Sequence, residues 1–543
     1  MWMFTTFHLG HYQPLSWLTL GIDYSIWGLN PFGYHLTNLL LHAVGSVIFY
    51  FVCRRLLRLS SVRPDPAASP WSAAFAALFF AIHPLRVESV AWITERRDVL
   101  SGVLLFASIL LYLRATEGGA ARRREIIGSV FLYALSLLSK ASGMTLVFVL
   151  VVLDVYPLRR LQSSTSQWLA RRDRAVWLEK LPFLILGLIA GAVALTAQKQ
   201  AGAYVSVSAY SIGRRFGQAM YSAMFYISKT IAPFHLSPLY QVPFQSGGWI
   251  WVFTMCGMAL AAITAILFAM RKRAAGLFAA WLCYLALLAP VSGLAQSGVQ
   301  FVADRYSYLS CLAWALVAGA YCDKLILKIH KPYLIFVSGS VLLLIVGLKT
   351  WQQTFIWQDS GTLWRHTIAI TPESSIARYN LGNVLEAERD FDGAMTEYRA
   401  AIARDPAYAE ARYNLARLLA RQGKIDEAID EYREALKADP KDAGSHNNLG
   451  LLLARRGDIP QAVVHFNEAL RIDPGYAKAY FNIGQVMLQQ GRPKEAEDYF
   501  KRALHLQPDV AEIHEQLARA LAAQGRKEEA MRQYEEALKI MRR

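Results

Sequence analysis

The chain has 543 residues, of which 54% are hydrophobic and 12% aromatic, and its formal net charge is +16. Apolar residues crowd into about the first 350 positions and charged residues into about the last 170, which excludes a single soluble globule and predicts two domains. Many basic residues lie in short loops between apolar segments, as is typical of membrane orientation signals, so no nucleic-acid partner is predicted.

The first 33 residues lack a charged start followed by an apolar core, so they do not predict a cleavable signal peptide. We interpret residues 1–33 as a polar and aromatic loop, the remaining part of a first outer loop. Residues 34–351 are expected to form an all-α membrane domain of about ten spans. The spans are predicted near 34–53, 71–84, 98–114, 126–139, 141–157, 181–198, 249–270, 274–290, 306–325 and 333–351. The amphipathic stretch 214–233 favours an interfacial helix, and an eleventh span is the alternative.

The loops of this domain differ in charge. Those at 54–70, 114–125, 158–180, 271–273 and 323–332 carry about 20 Lys and Arg, roughly twice the number in the opposite loops, which predicts that they are cytoplasmic. Residues 1–33, 84–97, 199–248 and 291–305 would then lie outside, together with everything that follows the last span. We therefore expect an integral membrane protein, in the inner membrane if the cell is bacterial, with its C-terminal domain on the periplasmic or lumenal side.

The predicted outer loops mix acids, Arg, His and aromatic residues. One interpretation is a set of local ion pairs, such as Glu88 with Arg86 and Asp304 with Arg305. The other is a wet cavity in which Arg binds a lipid-linked phosphate and a carboxylate removes a proton from an acceptor hydroxyl. Lys140, at the break between two short helices, would add positive charge on that side.

The last third of the chain is periodic. Pro372, Pro406, Pro440, Pro474 and Pro508 recur every 34 residues, and small and aromatic residues recur in the same register. This period is the tetratricopeptide signature, in which small residues allow two helices to approach and proline ends the second. Five repeats are predicted over 375–543, preceded by a linker or leading helix at 352–374. The expected fold class is thus a polytopic helical membrane domain followed by an α-solenoid.

One polar position also repeats on the first helix of each unit. It holds asparagine in four units, at Asn380, Asn414, Asn448 and Asn482, and Gln516 in the fifth. A row of side-chain amides in the concave groove would bind the backbone of an extended polypeptide. The alternative is that asparagine is simply common at this position of the repeat. The sequence has no zinc-ligand spacing or carboxylate cage, so no metal ligand is predicted and a metal requirement stays open.

Several motifs of the membrane half resemble those of the transmembrane and tetratricopeptide-repeat protein O-mannosyltransferases. They are YQPLSWL at 12–18, GLNPFGYHLTNLLLH at 28–42, the segment His83-Pro84…Glu88…Arg96…Asp98, and ADRYSY at 303–308. That family belongs to the GT-C class of membrane glycosyltransferases. The resemblance implies transfer of a sugar, typically mannose, from a polyprenyl-phosphate donor to Ser or Thr of a polypeptide, without an established cofactor.

The resemblance also implies residue roles. Glu88 and Asp98 would be catalytic or would orient the reactants. Donor phosphate would contact Arg96, Arg97, Arg305 and Lys140. Sugar or acceptor would contact His11, His83 and Asp304. The family's first outer loop carries an acidic candidate base, and we expect this chain to begin inside that loop, with Asp23 a poor substitute. A non-catalytic membrane-anchored repeat scaffold that binds proteins during envelope assembly therefore remains the alternative function.

Overall fold

A computed structural model describes residues 3, 6–7, 10–60, 68–162, 168, 173–202, 211–240, 249–294, 300, 302–329 and 331–542. Parts of the predicted outer loops 1–33, 199–248 and 291–305 and of the predicted inner loops 54–70, 158–180 and 323–332 lie outside these residues. The chain divides into two compact units, Met1–Thr371 and Pro372–Arg543. The described residues form helices and no strand longer than an isolated bridge, so the predicted all-α class is confirmed.

The first unit contains the apolar helices. They are α1 (Pro14–Trp27), α2 (Pro31–Ser60), α3 (Ala68–Ala81), α4 (Val87–Ala91), α5 (Arg96–Ala115), α6 (Arg122–Ser139), α7 (Leu146–Val155), α8 (Arg174–Gln200), α9 (Ile212–Ile231), α10 (Trp249–Ala269), α11 (Ala275–Leu288), α12 (Ser307–Ser310), α13 (Leu312–Lys328), α14 (Tyr333–Ile356) and α15 (Ser360–Ile370).

Within residues 1–33, the expectation of a loop is wrong for α1. Pro14 occupies the start of this helix, where its missing N–H costs no hydrogen bond. The apolar residues Leu15, Leu18, Ile22 and Ile26 follow helical spacing, but polar residues and glycine at 19, 21, 23 and 25 interrupt the apolar run, which is why a loop was predicted.

Membrane crossing is supported for about seven of the predicted spans. Five helices are long and apolar enough to cross a bilayer, and two pairs, Pro70–Ala81 with Pro84–Ala91 and Asp304–Ser310 with Leu312–Lys328, would each be one span bent by 55°. Two further apolar helices, Ala141–Val155 and Ala275–Val291, are shorter. Helix α6 begins with three arginines and does not qualify as a span, so the count of ten stays a prediction.

Helix α6 packs on α5 through serines. Ser101 and Ser136 are joined by a hydrogen bond of 2.9 Å, and Ser108 and Ser129 by one of 3.1 Å. The two serines on each helix are seven residues apart, so they lie on the same helix face and both pairs belong to one helix–helix interface. Small hydroxyl side chains allow close approach and satisfy one another, which is how helices associate where lipid removes the hydrophobic driving force.

Helix α9, predicted as interfacial, has its polar side turned inward. Arg215, Gln218 and Ser222 are buried, while Ile212 and Phe216 are more than half exposed. An inverted arrangement of this kind suits a helix whose outer face meets lipid rather than water.

The second unit is a regular array of paired helices. They are α16 (Ser375–Ala387), α17 (Phe391–Arg404), α18 (Ala409–Arg421), α19 (Ile425–Ala438), α20 (Ala443–Arg455), α21 (Ile459–Ile472), α22 (Ala477–Gln489), α23 (Pro493–Leu506), α24 (Ala511–Ala523) and α25 (Lys527–Arg542). The small residues allow the two helices of a unit to approach, as predicted, and the aromatic residue fills the space beside them within the same unit: a Cβ at Gly484 would lie 2.6 Å from the ring of Phe500.

The pair of side chains that joins the two helices of a unit differs from one repeat to the next. In four of the five units the first helix meets the second through a polar pair: Arg378–Glu397 at 3.1 Å, Arg412–Glu431 at 2.6 Å, His446–His465 at 3.0 Å and His514–Gln533 at 2.7 Å. The fourth unit has the rings of Tyr480 and Tyr499 there. The third repeat therefore holds two imidazoles where the first two repeats hold an ion pair.

The tautomers of the His446–His465 pair follow from its hydrogen bonds. Nε2 of His446 must donate to the carbonyl of Pro440, so its Nδ1 accepts from Nδ1 of His465. Desolvation, followed by the neighbouring groups His446 and Arg433, lowers the pKa of His465. Since the folded state disfavours the protonated ring, this contribution to stability is present above the unfolded pKa of about 6.5 and is lost as pH falls.

This gives a prediction for isolated residues 372–543, whose core contains only their own side chains. Between pH 7.5 and 5.5 the melting temperature should fall by about 2–5 °C more in the natural sequence than in the variant H446R/H465E, which copies the first two repeats. Circular dichroism melts measure both. Equal falls in the two proteins would exclude the imidazole pair as the titrating element.

Candidate active site in the membrane unit

The candidate site is built where helices of the membrane unit break. Helix α3 ends at Ala81 and the chain passes through two 3₁₀ turns before α5, while a third break at 140–145 separates α6 from α7. A further 3₁₀ turn at Asp304–Tyr306 precedes α12. These breaks carry the charged residues that the sequence analysis singled out, and most of those residues are buried together.

Glu88 and Arg305 form the central contact, although 217 residues separate them. Nη1 of Arg305 lies 2.5 Å from one carboxylate oxygen, and the backbone N–H of Arg305 donates to the other at 2.7 Å. The guanidinium also lies over the rings of Trp92 and Tyr306, at 5.2 and 5.0 Å from their centroids. Glu88 is only 2% exposed, so its charge depends on this partner.

A second group of charges surrounds Lys140. Its ammonium lies 2.6 Å from Asp98 and 3.3 Å from Glu95. Glu95 is fully buried and also contacts Arg97 at 2.5 Å and Arg305 at 3.3 Å. Glu95 is therefore shared by three cations, which holds them close together despite their like charge.

A small cavity opens between these two groups. Its lining residues are Asp98, Lys140, Ser142, Leu287, Val291, Arg305, Tyr306, Tyr308 and Leu309. Lys140 and Arg305 are of the types that bind an anionic oxygen, and three of the other lining residues are aliphatic. Chemically, the cavity suits a phosphate oxygen at the polar edge of a lipid.

Arg96 does not belong to this cavity. It is fully buried and forms an ion pair of 2.5 Å with Asp23, and its other N–H groups donate to Asn38 and to the carbonyls of Thr19 and Tyr34. Since these internal acceptors already occupy its guanidinium, Arg96 connects α1 and α2 to α5 and is no longer a candidate phosphate ligand. Arg97 lies closer, with its side chain 15% exposed and bound to Glu95.

Both expected local ion pairs are wrong. Arg86 donates to Ser307 at 2.9 Å rather than pairing with Glu88. Asp304 accepts from the hydroxyl of Tyr240 at 2.9 Å and has no ion pair with Arg305. We expected each charged residue to pair with a neighbour in sequence. The bent helices instead bring each of them into contact with a residue from a distant segment, Ser307 for Arg86 and Tyr240 for Asp304.

The two histidines that were expected to contact sugar or acceptor, His83 and His11, have different surroundings. His83 donates to the carbonyl of Thr230 at 3.1 Å and accepts from the N–H of Leu85, so its ring satisfies the local backbone. His11 keeps more than a third of its surface exposed, yet desolvation, followed by the positive charges of Arg97 and Lys140, lowers its pKa to about 4. His11 therefore lies near the charged cluster as a neutral ring.

Two residues contribute to the site without having been predicted from the sequence. Glu95 was part of the charged segment but had no assigned role, and its position between Glu88 and Asp98 was the available signal. Tyr308 lines the cavity and forms a hydrogen bond of 2.9 Å with His42. These residues are 266 positions apart, so no local sequence pattern predicts their contact.

In the repeat unit, the asparagine row bonds largely within the array. The amide of Asn414 donates to Asn383 and Tyr379, and that of Asn448 donates to Tyr413 and Tyr432. Asn482 donates to Asn447 at 2.8 Å, and Asn380 to the carbonyl of Ile376. Much of the donor capacity that was expected to meet a peptide therefore links each repeat to the one before it.

Comparisons with known proteins bear on both units. A family model for the tetratricopeptide repeat matches 365–409, 379–443, 413–477, 447–511 and 481–542. Among solved structures, MamA is 21% identical, covering 31% of this chain and 92% of its own with a TM-score of 0.29. YrrB, a repeat protein with an unusual peptide-binding site, is 21% identical, covering 33% and 91% with the same score. Scores this low support no conclusion about the whole chain.

Curated relatives cover more of the sequence. Human protein O-mannosyl-transferase TMTC3 is 24% identical over 428 residues, 71% of this chain and 43% of the relative, and human TMTC1 is 25% identical over 425 residues, 72% and 47%. Tmtc3 of Drosophila melanogaster is 33% identical over 168 residues, 28% of this chain and 18% of the relative. This chain thus spans less than half the length of these relatives.

The longer matches cannot be explained by the repeats alone, because the repeat unit Pro372–Arg543 is about a third of the chain. They therefore extend into the membrane unit that contains the candidate site. The homologues of this chain are the TMTC protein O-mannosyl-transferases, at about 24% identity over 71% of its length, and its C-terminal part consists of tetratricopeptide repeats.

Proposed function

We propose that this protein is a membrane glycosyltransferase that moves a sugar, mannose in the first instance, from a polyprenyl-phosphate donor to Ser or Thr of a polypeptide. The observation that carries the proposal is the cavity lined by Lys140, Arg305 and Asp98 in a membrane unit that shares sequence with protein O-mannosyl-transferases. The repeats would hold the acceptor, as tetratricopeptide arrays commonly hold polypeptides.

In this proposal Lys140 and Arg305 bind the donor phosphate and stabilise the charge it gains as the sugar leaves. Glu88 and Asp98 are each held by one of these cations. Their role is then to orient the two cations, because a carboxylate in a close ion pair is a weak proton acceptor. Arg97 adds positive charge through its contact with Glu95.

The test is sugar transfer by the full chain in lipid nanodiscs, with radiolabelled polyprenyl-phosphate mannose and a Ser/Thr-rich secreted polypeptide. The variants K140M and R305M should each lower transfer by about 100-fold or more. K349M is the matched control, because Lys349 lies over the ring of Phe234, away from the cavity. Retained transfer in both site variants would remove the cavity from the proposal.

The alternative is a membrane-anchored scaffold, which the extent of internal pairing in the charged cluster favours. A scaffold would transfer no sugar with any polyprenyl-phosphate donor, yet its repeats would still retain polypeptides. The same assay therefore separates the two functions, provided that binding of the acceptor is measured alongside transfer.

The Glu88–Arg305 pair gives a separate prediction. R305M alone should destabilise the protein by about 3–5 kcal/mol, since it leaves the buried carboxylate of Glu88 without its cation. E88Q should destabilise it less, because Arg305 keeps its contact with Glu95 at 3.3 Å. The double variant E88M/R305M should recover much of that stability, because two apolar side chains of similar volume replace the pair. Thermal unfolding in nanodiscs measures this.

Transfer should respond differently from stability. The double variant should remain inactive if Arg305 binds the donor, although it is stable. Recovery of both stability and transfer in the double variant would show that the pair has a structural role only.

We also propose that the repeats lie on the non-cytoplasmic side, from the charge difference between the loops. Alkaline phosphatase, which is active only outside the cytoplasm, should be active when fused after Arg543 and inactive when inserted between Gly118 and Gly119. The reverse pattern would contradict the predicted orientation.

A further inference from the structure

The membrane unit contains a second small cavity, which shares no lining residue with the first. Its walls are formed by α3, the turn that follows α3, the end of α9 and the start of α13. Arg86 is the one Lys or Arg among its described lining residues, and this side chain is only 3% exposed. We call this space the Arg86 cavity.

The guanidinium of Arg86 is only partly satisfied. Nη2 donates to Ser307 at 2.9 Å, but Nε and Nη1 have no hydrogen-bond partner in the described part of the chain. The thiol of Cys311 lies beside the guanidinium, yet sulfur is a weak acceptor and this thiol already accepts from Thr230. Two donor nitrogens of a buried cation are therefore left over.

The positive charge of Arg86 also lacks a counterion. Asp98 and Asp304 are near enough for their fields to reach it, but neither forms an ion pair with it. Asp98 is paired with Lys140 instead, and Glu88 with Arg305. Arginine stays protonated in proteins, and a buried cation without a partner is costly.

Two aromatic rings hold the guanidinium in place. It lies over Phe80 and Tyr308, at 5.3 and 5.6 Å from their centroids. A water molecule in the cavity could accept hydrogen bonds from Arg86, but it would leave the charge uncompensated. An anionic oxygen would do both, so the cavity suits an anion better than water.

The surroundings of the cavity favour a lipid as the source of that anion. Its partly exposed lining residues are Phe79 and Thr230, and their neighbours in sequence, Leu78 and Ile231, are 49% and 79% exposed. Large exposed apolar side chains of a membrane unit mark a surface that meets lipid. The space itself is about the size of one water molecule, so only oxygen atoms at the tip of a head group would enter.

We propose that the Arg86 cavity binds a phosphate oxygen of a membrane lipid. An anionic phospholipid of the bilayer and a polyprenyl phosphate both carry this group, and basic pockets between membrane helices bind lipid head groups. Guanidinium and phosphate form strong charge-assisted hydrogen bonds, which would use the nitrogens that Arg86 has left over. The site goes beyond the proposed sugar transfer and does not depend on it.

The experiment is thermal unfolding of the full chain in a neutral detergent with added lipid. Phosphatidylglycerol should raise the melting temperature by about 2–5 °C when its concentration is about ten times its dissociation constant. Phosphatidylcholine, which has no net charge, should have a much smaller effect, and so should inorganic phosphate, which lacks the apolar part. Polyprenyl phosphate without sugar identifies the source: it is the preferred lipid if it acts at lower concentration than phosphatidylglycerol, and any lipid phosphate suffices if the two act alike.

Two variants change the cavity in different ways. R86M should abolish the response to lipid, yet without lipid it should melt no lower than the natural chain, because it removes a buried charge that has no counterion. A315L fills the cavity from another wall and should weaken the response while Arg86 stays in place.

The matched control is R215M. Arg215 is also a buried arginine of the membrane unit, but it donates to the carbonyl of Leu294 at 3.3 Å and lines neither cavity. This variant should respond to phosphatidylglycerol as the natural chain does.

Several results would overturn the proposal. They are an equal lipid response in R86M and the natural chain, equal effects of phosphatidylglycerol and phosphatidylcholine, and a response to inorganic phosphate as large as that to lipid. Melting of R86M far below the natural chain without lipid would also overturn it, since Arg86 would then have its counterion within the protein. None of these measurements uses sugar transfer, so each outcome leaves the proposed function to its own test.

Discussion

The membrane unit depends on an ion pair between two interrupted helices. Glu88 follows the break after α3, Arg305 lies in the turn before α12, and their contact fixes both interruptions at once. Charge buried in a membrane protein is costly unless it is paired, and irregular backbone is tolerated there only where protein covers it. The pair meets both conditions, because Glu88 also accepts the backbone N–H of Arg305.

The other charges are arranged around that pair. Glu95 lies against Arg305, Arg97 and Lys140, so it neutralises three cations that would otherwise repel one another. Lys140 in turn holds Asp98 at the edge of the cavity. Three carboxylates and three cations thus compensate one another, and each charged side chain is held in a fixed position by its partners.

Much of the fold could be predicted from local patterns. The 34-residue period specifies the repeat helices because each repeat contacts its neighbours in the same way. Apolar length located the long spans and α6, but it did not predict the serine pairs through which α6 packs on α5, or α1, whose apolar residues alternate with polar residues and glycine.

Most residues of the candidate site could be predicted from the sequence, but their ion-pair and hydrogen-bond partners could not. Glu88, Asp98, Lys140 and Arg305 were identified because charge is unusual beside apolar segments. Their partners depend on contacts between residues far apart in the chain, such as Arg96 with Asp23 and Arg305 with Glu88. No periodicity encodes such contacts, and proximity in sequence gave the wrong pairs for Arg86 and Asp304.

The internal bonding of the asparagine row has a mechanical consequence for the solenoid. Asn414, Asn448 and Asn482 each tie their repeat to the preceding one, whereas the fifth repeat carries Gln516 at this position. The last junction is bridged instead by Gln524 and Arg526 of the fifth repeat, which both donate to the carboxylate of Glu497 in the fourth. The amide bonds of the first three junctions thus give way to a charged contact at the last, so added salt should loosen the attachment of α24 and α25 more than that of the other repeats.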